Sequence, residues 1–197
     1  MNKKYICALC ACMMVLASCS GTREKEDDFV SDGAWHVIKP QEIPGNFVSM
    51  MDNAMLLSAG SEGDFNTMAM GWGGLGKFWR RPTLTVYVSS SRYTYEFMEK
   101  NSYFTVCGFP EEYKNNVMYM GKHSGRDGDK VADGGLHAEF TELGNPMFSE
   151  ANLVVECKLL YEDVIDTLQT PIDIKSRNDK SGPYTMYVGE IVNVMRK

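Results

Sequence analysis

Alternation of apolar and polar positions from His36 onward predicts a mainly β fold with short helices. Six segments are rich in β-branched and aromatic residues, and glycine, proline, asparagine and serine separate them. These segments are residues 55–60, 65–72, 83–90, 103–109, 151–165 and 184–195. Residues 91–101 and 111–124 have a helical pattern instead. Several strands with few helices indicate a closed β-barrel with helical additions.

The N-terminal residues have the pattern of an export signal. Lys3 and Lys4 precede an apolar run that is too short to span a bilayer, and small residues then lead to Cys19. The sequence L-A-S-C at 16–19 resembles the lipobox of bacterial lipoproteins, in which the cysteine is lipid-modified and becomes the new N-terminus. We therefore expect a signal peptide at residues 1–18 and a lipid anchor on Cys19. An ordinary secretory signal that is cleaved nearby is the alternative.

The remaining chain predicts a tethered single domain in the cell envelope, facing the periplasm or the exterior. Residues 19–35 are charged and poor in apolar side chains, which is typical of a flexible tether, and residues 36–197 form the domain. The net charge of −6 would become −8 without residues 1–18, because two lysines leave with the signal. Such an acidic body argues against nucleic-acid binding.

Two of the six cysteines, Cys107 and Cys157, lie within the predicted domain. An exported domain with two cysteines could form one disulfide bond. Both cysteines, however, lie inside apolar runs that have a strand pattern, where single buried cysteines are common. We therefore favour two buried thiols.

A G-x-G-x-x-G string at Gly71, Gly73 and Gly76 matches the dinucleotide-binding fingerprint but lacks its context. That fingerprint requires a helix that begins within the turn and an acidic residue about 20 positions later. Pro82 and the β-branched run after it leave no room for such a helix. We interpret the match as accidental, and expect the glycines to allow a bend or a close backbone approach.

Residues 89–94 hold a candidate anion site at the start of a predicted helix. Three serines and Arg92 precede the helix, and Thr94 lies in its first turn. Exposed N–H groups and the helix dipole favour an anion there, and arginine can pair a phosphate through two parallel hydrogen bonds. Simple capping by Ser90 or Ser91 explains the same residues equally well.

Residues 122–130 form a second candidate anion-binding segment. Glycines interrupt this loop, and Lys122, Arg126 and Lys130 alternate with two aspartates. A solvated turn is the alternative. Neither the loop nor the three scattered histidines of the chain has the ligand spacing of a metal site, so we expect no metal ion.

Taken in order, five segments resemble the flavin reductase-like family, the FMN-binding split β-barrels, in its flavoredoxin-like branch. They are N-T-M-A-M-G-W at 66–72, the strand T-L-T-V-Y-V after Pro82, S-S-S-R-Y-T-Y-E-F at 89–97, Y-F-T-V-C-G-F at 103–109 and S-G-R-D-G-D-K at 124–130. The resemblance covers roughly residues 44–195. It implies a homodimeric split barrel that binds FMN near the subunit interface, with FAD less expected.

The resemblance also implies three groups of cofactor contacts. The strand region at 66–72 would contact the isoalloxazine, residues 89–94 would approach the phosphate, and the loop at 124–130 would close over the cofactor. The candidate cofactor-binding residues are Asn66, Met68, Met70, Trp72, Ser89, Ser90, Ser91, Arg92, Thr94, Ser124, Arg126 and Lys130.

The implied activity is that of an NAD(P)H-dependent FMN oxidoreductase, which transfers hydride or electrons through bound FMN. Because the cofactor carries that chemistry, no acid–base residue is required, and no catalytic side chain is assigned. An exported protein faces a compartment that is expected to lack nicotinamide pools, so the electron donor could be another redox partner. Two alternatives stay open: a flavin-binding or electron-transfer lipoprotein without nicotinamide-dependent turnover, and a degenerate barrel that acts as an interaction protein.

Overall fold

The computed structural model describes residues 29–52, 55–174 and 181–197. The expected signal peptide, Cys19 and most of the expected tether lie outside the described residues. The strands are β1 (His36–Val37), β2 (Met55–Ser61), β3 (Asp64–Met70), β4 (Gly73–Phe78), β5 (Arg81–Ser89), β6 (Tyr103–Gly108), β7 (Ala138–Phe140), β8 (Pro146–Phe148), β9 (Leu153–Val164) and β10 (Tyr184–Arg196). The α-helices are α1 (Phe47–Asp52), α2 (Tyr93–Met98), α3 (Lys114–Lys122) and α4 (Lys130–Asp133). Short 3₁₀ helices span Pro40–Glu42, Glu111–Tyr113 and Thr167–Gln169.

Eight of the strands form one antiparallel sheet in the order β3-β2-β6-β9-β10-β5-β4, and β1 pairs with β10. Strands β7 and β8 form a separate hairpin. The pairing of β9 with β10 shifts register between Val188 and Gly189 and again between Ile191 and Asn193. Such irregularities increase the bend and twist of long strands. The predicted mainly β fold with short helices is confirmed.

The central strands are buried on both faces, which explains their nearly continuous apolar sequences. Leu57, Phe104 and Val155 face one core that also receives residues from β5 and β10. Their neighbours Leu56 and Val154 face a second core, which α3 and the β7–β8 hairpin cover. Because successive side chains of a strand point to opposite faces, β2, β6 and β9 each contribute to both cores.

The six predicted strands are present with small shifts at their ends, and both predicted helical segments contain helix. The first is α2, and the second begins as a 3₁₀ turn and continues as α3. The pattern did not predict β4, because its sequence G-G-L-G-K-F has little strand propensity.

The glycine-rich string therefore forms a strand, and its likeness to a dinucleotide-binding turn is accidental. Residues 73–78 pair with β5, and the chain turns back at Trp79 and Arg80, which have φ values of 47° and 63°. A β-carbon on Gly73 would lie 2.5 Å from the carbonyl oxygen of Thr85, so this position permits close backbone approach.

Cys107 and Cys157 are free and buried thiols, as predicted. Burial raises the pKa of Cys107 to about 12 and the pKa of Cys157 well above its ordinary value. At neutral pH both groups therefore remain protonated and chemically inert.

The described end of the expected tether contacts the domain. The Phe29 ring packs edge-on against His36, and the guanidinium carbon of Arg196 lies 4.1 Å from the centre of the Phe29 ring. Within the described ranges no helix is both long and apolar enough to cross a membrane.

Candidate functional site

Two adjoining cavities open beside the C-terminal half of β3. We call the first, of about 190 Å³, the aromatic cavity; its lining residues are Met68, Ala69, Met70, Gly71, Trp72, Tyr87, Ser89, Arg92 and Tyr184. We call the second, of about 120 Å³, the cationic cavity; its lining residues are Asn66, Met68, Ser91, Arg92, Tyr93, Thr94, Met120, Lys122, His123, Ser124 and Lys130. Met68 and Arg92 line both cavities, so the two cavities adjoin at these side chains.

The aromatic cavity combines flat and apolar side chains from three strands. Met68 and Met70 come from β3, Tyr87 from β5, and Tyr184 from the first position of β10. The Trp72 ring lies 5.1 Å from the Tyr184 ring at an interplanar angle of 51°, and Trp72 is 58% exposed. This geometry suits a planar ring system, with one side of the cavity open to solvent.

The cationic cavity concentrates basic groups, and no aspartate or glutamate of the described residues lines it. Arg92 is the N-cap residue of α2, and Lys122 ends α3. Lys130, which begins α4, is only 6% exposed. Lys130 is the buried one of the three, and a buried cation without a carboxylate partner favours the binding of an anion, because an anion would offset the cost of its desolvation.

Carbonyl oxygens at the C-terminal end of α3 hold the two inner cations in place. The Lys130 Nζ donates to the carbonyl oxygens of Met120 and His123, each at 3.2 Å. The Arg92 guanidinium donates to the carbonyl oxygen of Gly121 at 3.2 Å. Burial, and then the nearby charge of Arg92, lower the pKa of Lys130 to about 8. A bound anion would reverse that effect by favouring the charged form.

Hydroxyl groups complete the polar lining. Thr94 is buried, and its Oγ1 accepts a hydrogen bond of 2.7 Å from the Asn66 amide. The Ser89 and Ser91 hydroxyls lie 2.8 Å apart, so they connect the two cavities. Since the Thr94 hydroxyl accepts from Asn66, its own proton is available for a ligand in the cavity.

The structure brings ten of the twelve predicted cofactor-binding residues to this site. Asn66, which we expected beside the ring contacts, lines the cationic cavity instead. Ser90 and Arg126 line neither cavity. The Ser90 amide donates to the carbonyl oxygen of Pro183 at 2.9 Å, and Arg126 forms an ion pair with Glu96.

Sequence reasoning missed Tyr87, Tyr184 and His123. Tyr87 had a usable signal, because it lies two positions from Ser89 on the same face of β5. Tyr184 lies opposite Ser89 in the pairing of β10 with β5, and the sequence alone does not reveal that register. The His123 ring stacks on Tyr119 with 3.7 Å between centroids, at the edge of the cationic cavity.

Solved structures with similar folds include flavoredoxins and an FMN-binding domain. Flavoredoxin from Methanosarcina acetivorans is 27% identical, with a TM-score of 0.57 over 73% of this chain and 68% of that chain. Flavoredoxin from Desulfovibrio vulgaris (Miyazaki F) is 24% identical, with a TM-score of 0.58 over 73% and 69%. An FMN-binding domain of a flavin reductases-like enzyme from Shewanella baltica OS155 is 18% identical, with a TM-score of 0.60 over 85% and 79%.

Sequence comparison gives the family directly. No curated protein sequence matches the chain. The model of the flavin reductase like domain matches residues 48–197, which is most of the chain. The protein therefore belongs to the flavin reductase-like domain family.

Proposed function

We propose that this protein is an FMN-binding oxidoreductase that transfers hydride or electrons through the bound cofactor. The observation that carries this proposal is the junction of the aromatic and cationic cavities at Met68 and Arg92. FMN has a planar ring system at one end and a phosphate at the other, and the two cavities match these ends in chemistry and in order.

In this proposal Arg92 and Lys130 hold the phosphate. A phosphate monoester carries about −1.5 to −2 charges at pH 7, which two fixed cations balance. The Thr94 and Ser124 hydroxyls line the same cavity and can donate further hydrogen bonds. This compact cationic cavity favours the terminal phosphate of FMN over the bridged diphosphate of FAD.

The aromatic cavity would orient the isoalloxazine. Met68 and Met70 supply an apolar surface, and Trp72 with Tyr184 would cover part of the ring edge. Bound FMN would supply the redox chemistry, whereas the protein supplies binding, orientation and solvent exclusion. The exposure of Trp72 leaves one side of the cavity accessible to the second reactant.

An anaerobic spectroscopic titration tests this function. The purified protein is titrated with FMN and with FAD, and NADH or NADPH is then added while the visible flavin bands are recorded. We expect saturable FMN binding that is tighter than FAD binding, and bleaching that is faster than for free FMN. Bound FMN that nicotinamides cannot bleach would indicate an electron carrier with another donor. Absence of FMN binding would refute the proposal.

We also propose that the protein acts as a homodimer. The exposed rings of Phe78 and Trp79 support this, because they stack with 4.1 Å between centroids at the end of β4, an edge strand of the sheet, and form an apolar surface there. Sedimentation equilibrium of the purified protein measures the oligomeric state, and a monomer at micromolar concentration would contradict the proposal.

We propose further that lipid on Cys19 attaches the protein to a membrane, with the domain facing the periplasm or the exterior. The support is the lipobox-like sequence at 16–19. Mass spectrometry of the N-terminal peptide from native membranes tests this, and an unmodified Cys19 would contradict it.

A further inference from the structure

We propose that Arg126 and Glu96 form a latch that holds the loop at residues 124–130 over the cationic cavity and thereby sets the rates of FMN entry and exit. This inference rests on the proposed function. It assigns Arg126 as a positioning residue, which acts through the loop and does not touch the phosphate.

The loop lies directly against the wall of the cationic cavity. Ser124 and Lys130, at its two ends, both line that cavity. Between them, a β-carbon on Gly125 would lie 2.2 Å from the Asn66 Oδ1 and 3.2 Å from the Tyr93 ring. Only glycine fits at this distance, so the loop contacts the cavity wall directly at Gly125.

Arg126 connects this loop to α2 on the outer side. Its guanidinium forms an ion pair with Glu96, and its guanidinium carbon lies 4.6 Å from the centre of the Tyr93 ring. Both partners belong to α2, and the N-cap residue of α2 is Arg92. The latch thus joins the loop to the same helix that supplies one of the two inner cations.

Arg126 is placed to hold the loop but not to bind the anion. The Arg126 and Glu96 side chains are each 45% exposed, and Arg126 does not line the cationic cavity. All contacts of the latch join protein groups and need no ligand. If the latch is equally strong with and without FMN, its removal accelerates opening in both states and leaves the equilibrium affinity unchanged.

Stopped-flow kinetics of FMN binding to Arg126→Ala distinguishes a latch from a phosphate ligand. The variant loses one exposed ion pair and one cation–π contact, which are both weak interactions, so we expect both rate constants to rise about fivefold to tenfold. We expect the dissociation constant to stay within about twofold of wild type. If only the dissociation rate constant rises, and FMN affinity falls tenfold, the latch proposal is wrong and Arg126 is a phosphate ligand. Unchanged rates would overturn it as well.

Charge exchange and a matched control test the pairing itself. Arg126→Glu should accelerate both rates at least as much as alanine, and the double variant Arg126→Glu/Glu96→Arg should restore them in part. Lys114→Ala removes another exposed ion pair, the 3.0 Å contact with Glu111 at the far end of α3, and should change neither rate. If the rates of the double variant are no closer to those of the wild type than the rates of Arg126→Glu are, Arg126 and Glu96 do not pair directly.

Hydrogen exchange of the ligand-free protein tests the latch independently of FMN. The Asp127 amide donates to the Ser124 carbonyl oxygen at 3.1 Å, and the Lys130 amide donates to that of Gly128 at 3.0 Å. In Arg126→Ala these amides should exchange severalfold faster, with global stability unchanged. If the wild-type protein binds no FMN, the proposed function fails, and exchange alone decides whether the latch exists. Unchanged exchange would overturn it.

Discussion

The two halves of the site are built differently, although they share a wall. In the cationic cavity Lys130 and Thr94 are buried and fixed, Lys130 by two carbonyl oxygens and Thr94 by Asn66. In the aromatic cavity the outer wall consists of Trp72 and Tyr184, which meet at the surface. Under the proposed function, the fixed charges would set the affinity for FMN, whereas the open aromatic half would leave the ring accessible to a reactant.

Among the substitutions considered, removal of both inner cations, Arg92 and Lys130, should weaken FMN binding most. We expect Arg92→Ala/Lys130→Met to weaken FMN binding by about a hundredfold or more, because a hydrogen bond to a charged group is worth about 1.5–3 kcal/mol. Methionine keeps the buried volume near that of lysine. Fluorescence titration with FMN measures the change.

Thermal unfolding of the same double variant separates lost binding from lost structure, because Lys130 also binds the end of α3. Riboflavin, which lacks the phosphate, should bind the variant and the wild type about equally. If the double variant binds FMN as tightly as the wild type does, the phosphate does not bind in the cationic cavity.

A pH titration should show a smaller effect from Lys130 alone. Since its pKa is lowered to about 8, Lys130 loses its proton above that pH, and FMN affinity should fall severalfold between pH 7.5 and 9. Below about pH 6 the phosphate takes up its own proton, so affinity should be highest between these limits. Lys130→Arg stays charged and should lose the alkaline decline. An identical decline in that variant would assign it to another group.

The same pKa shift has the opposite consequence for the stability of the ligand-free protein. Between pH 8 and 10.5 the unfolded state binds more protons than the folded state at Lys130. Its contribution to the free energy of unfolding therefore rises with pH in this window, while FMN affinity falls.

Truncation in the aromatic cavity should have the smallest effect on affinity. Because Trp72 is more than half exposed, we expect Trp72→Ala to weaken FMN binding only about threefold, and to shift the flavin absorption bands as the ring becomes more hydrated. Tyr161→Ala, which removes an exposed ring outside both cavities, is the matched control. If Trp72→Ala loses as much FMN affinity as Arg92→Ala/Lys130→Met does, the cationic cavity does not dominate the affinity for FMN.

The sequence predicted the strands whose own residues have high strand propensity. It missed β4, which forms a strand through its pairing with β5. β2, β5 and β9 have strong apolar and β-branched sequences, so local propensity and burial agree. β4 has three glycines among its six residues, and it forms a strand because β5 offers a paired edge. The pairing across the turn at Trp79 and Arg80, and not the propensity of its own residues, makes this segment a strand.

Within the site, residue type was easier to predict than orientation. The basic loop at 124–130 suggested cations over an anion, and Lys130 lines the cationic cavity. Arg126 lies four positions earlier with the same charge, but it turns outward because Glu96 lies on the adjoining helix. A charge pattern along a loop does not contain the position of a carboxylate 30 residues away.

The two buried thiols give the protein an internal reporter of its own opening. Cys107 and Cys157 lie on neighbouring strands in opposite cores, so a thiol-reactive probe can reach both only when the sheet itself comes apart. Pulse labelling read out at Cys107 and Cys157 would thus count global unfolding events and ignore motion of the loop at 124–130. A cysteine introduced at that loop could carry a fluorophore without competition from Cys107 and Cys157.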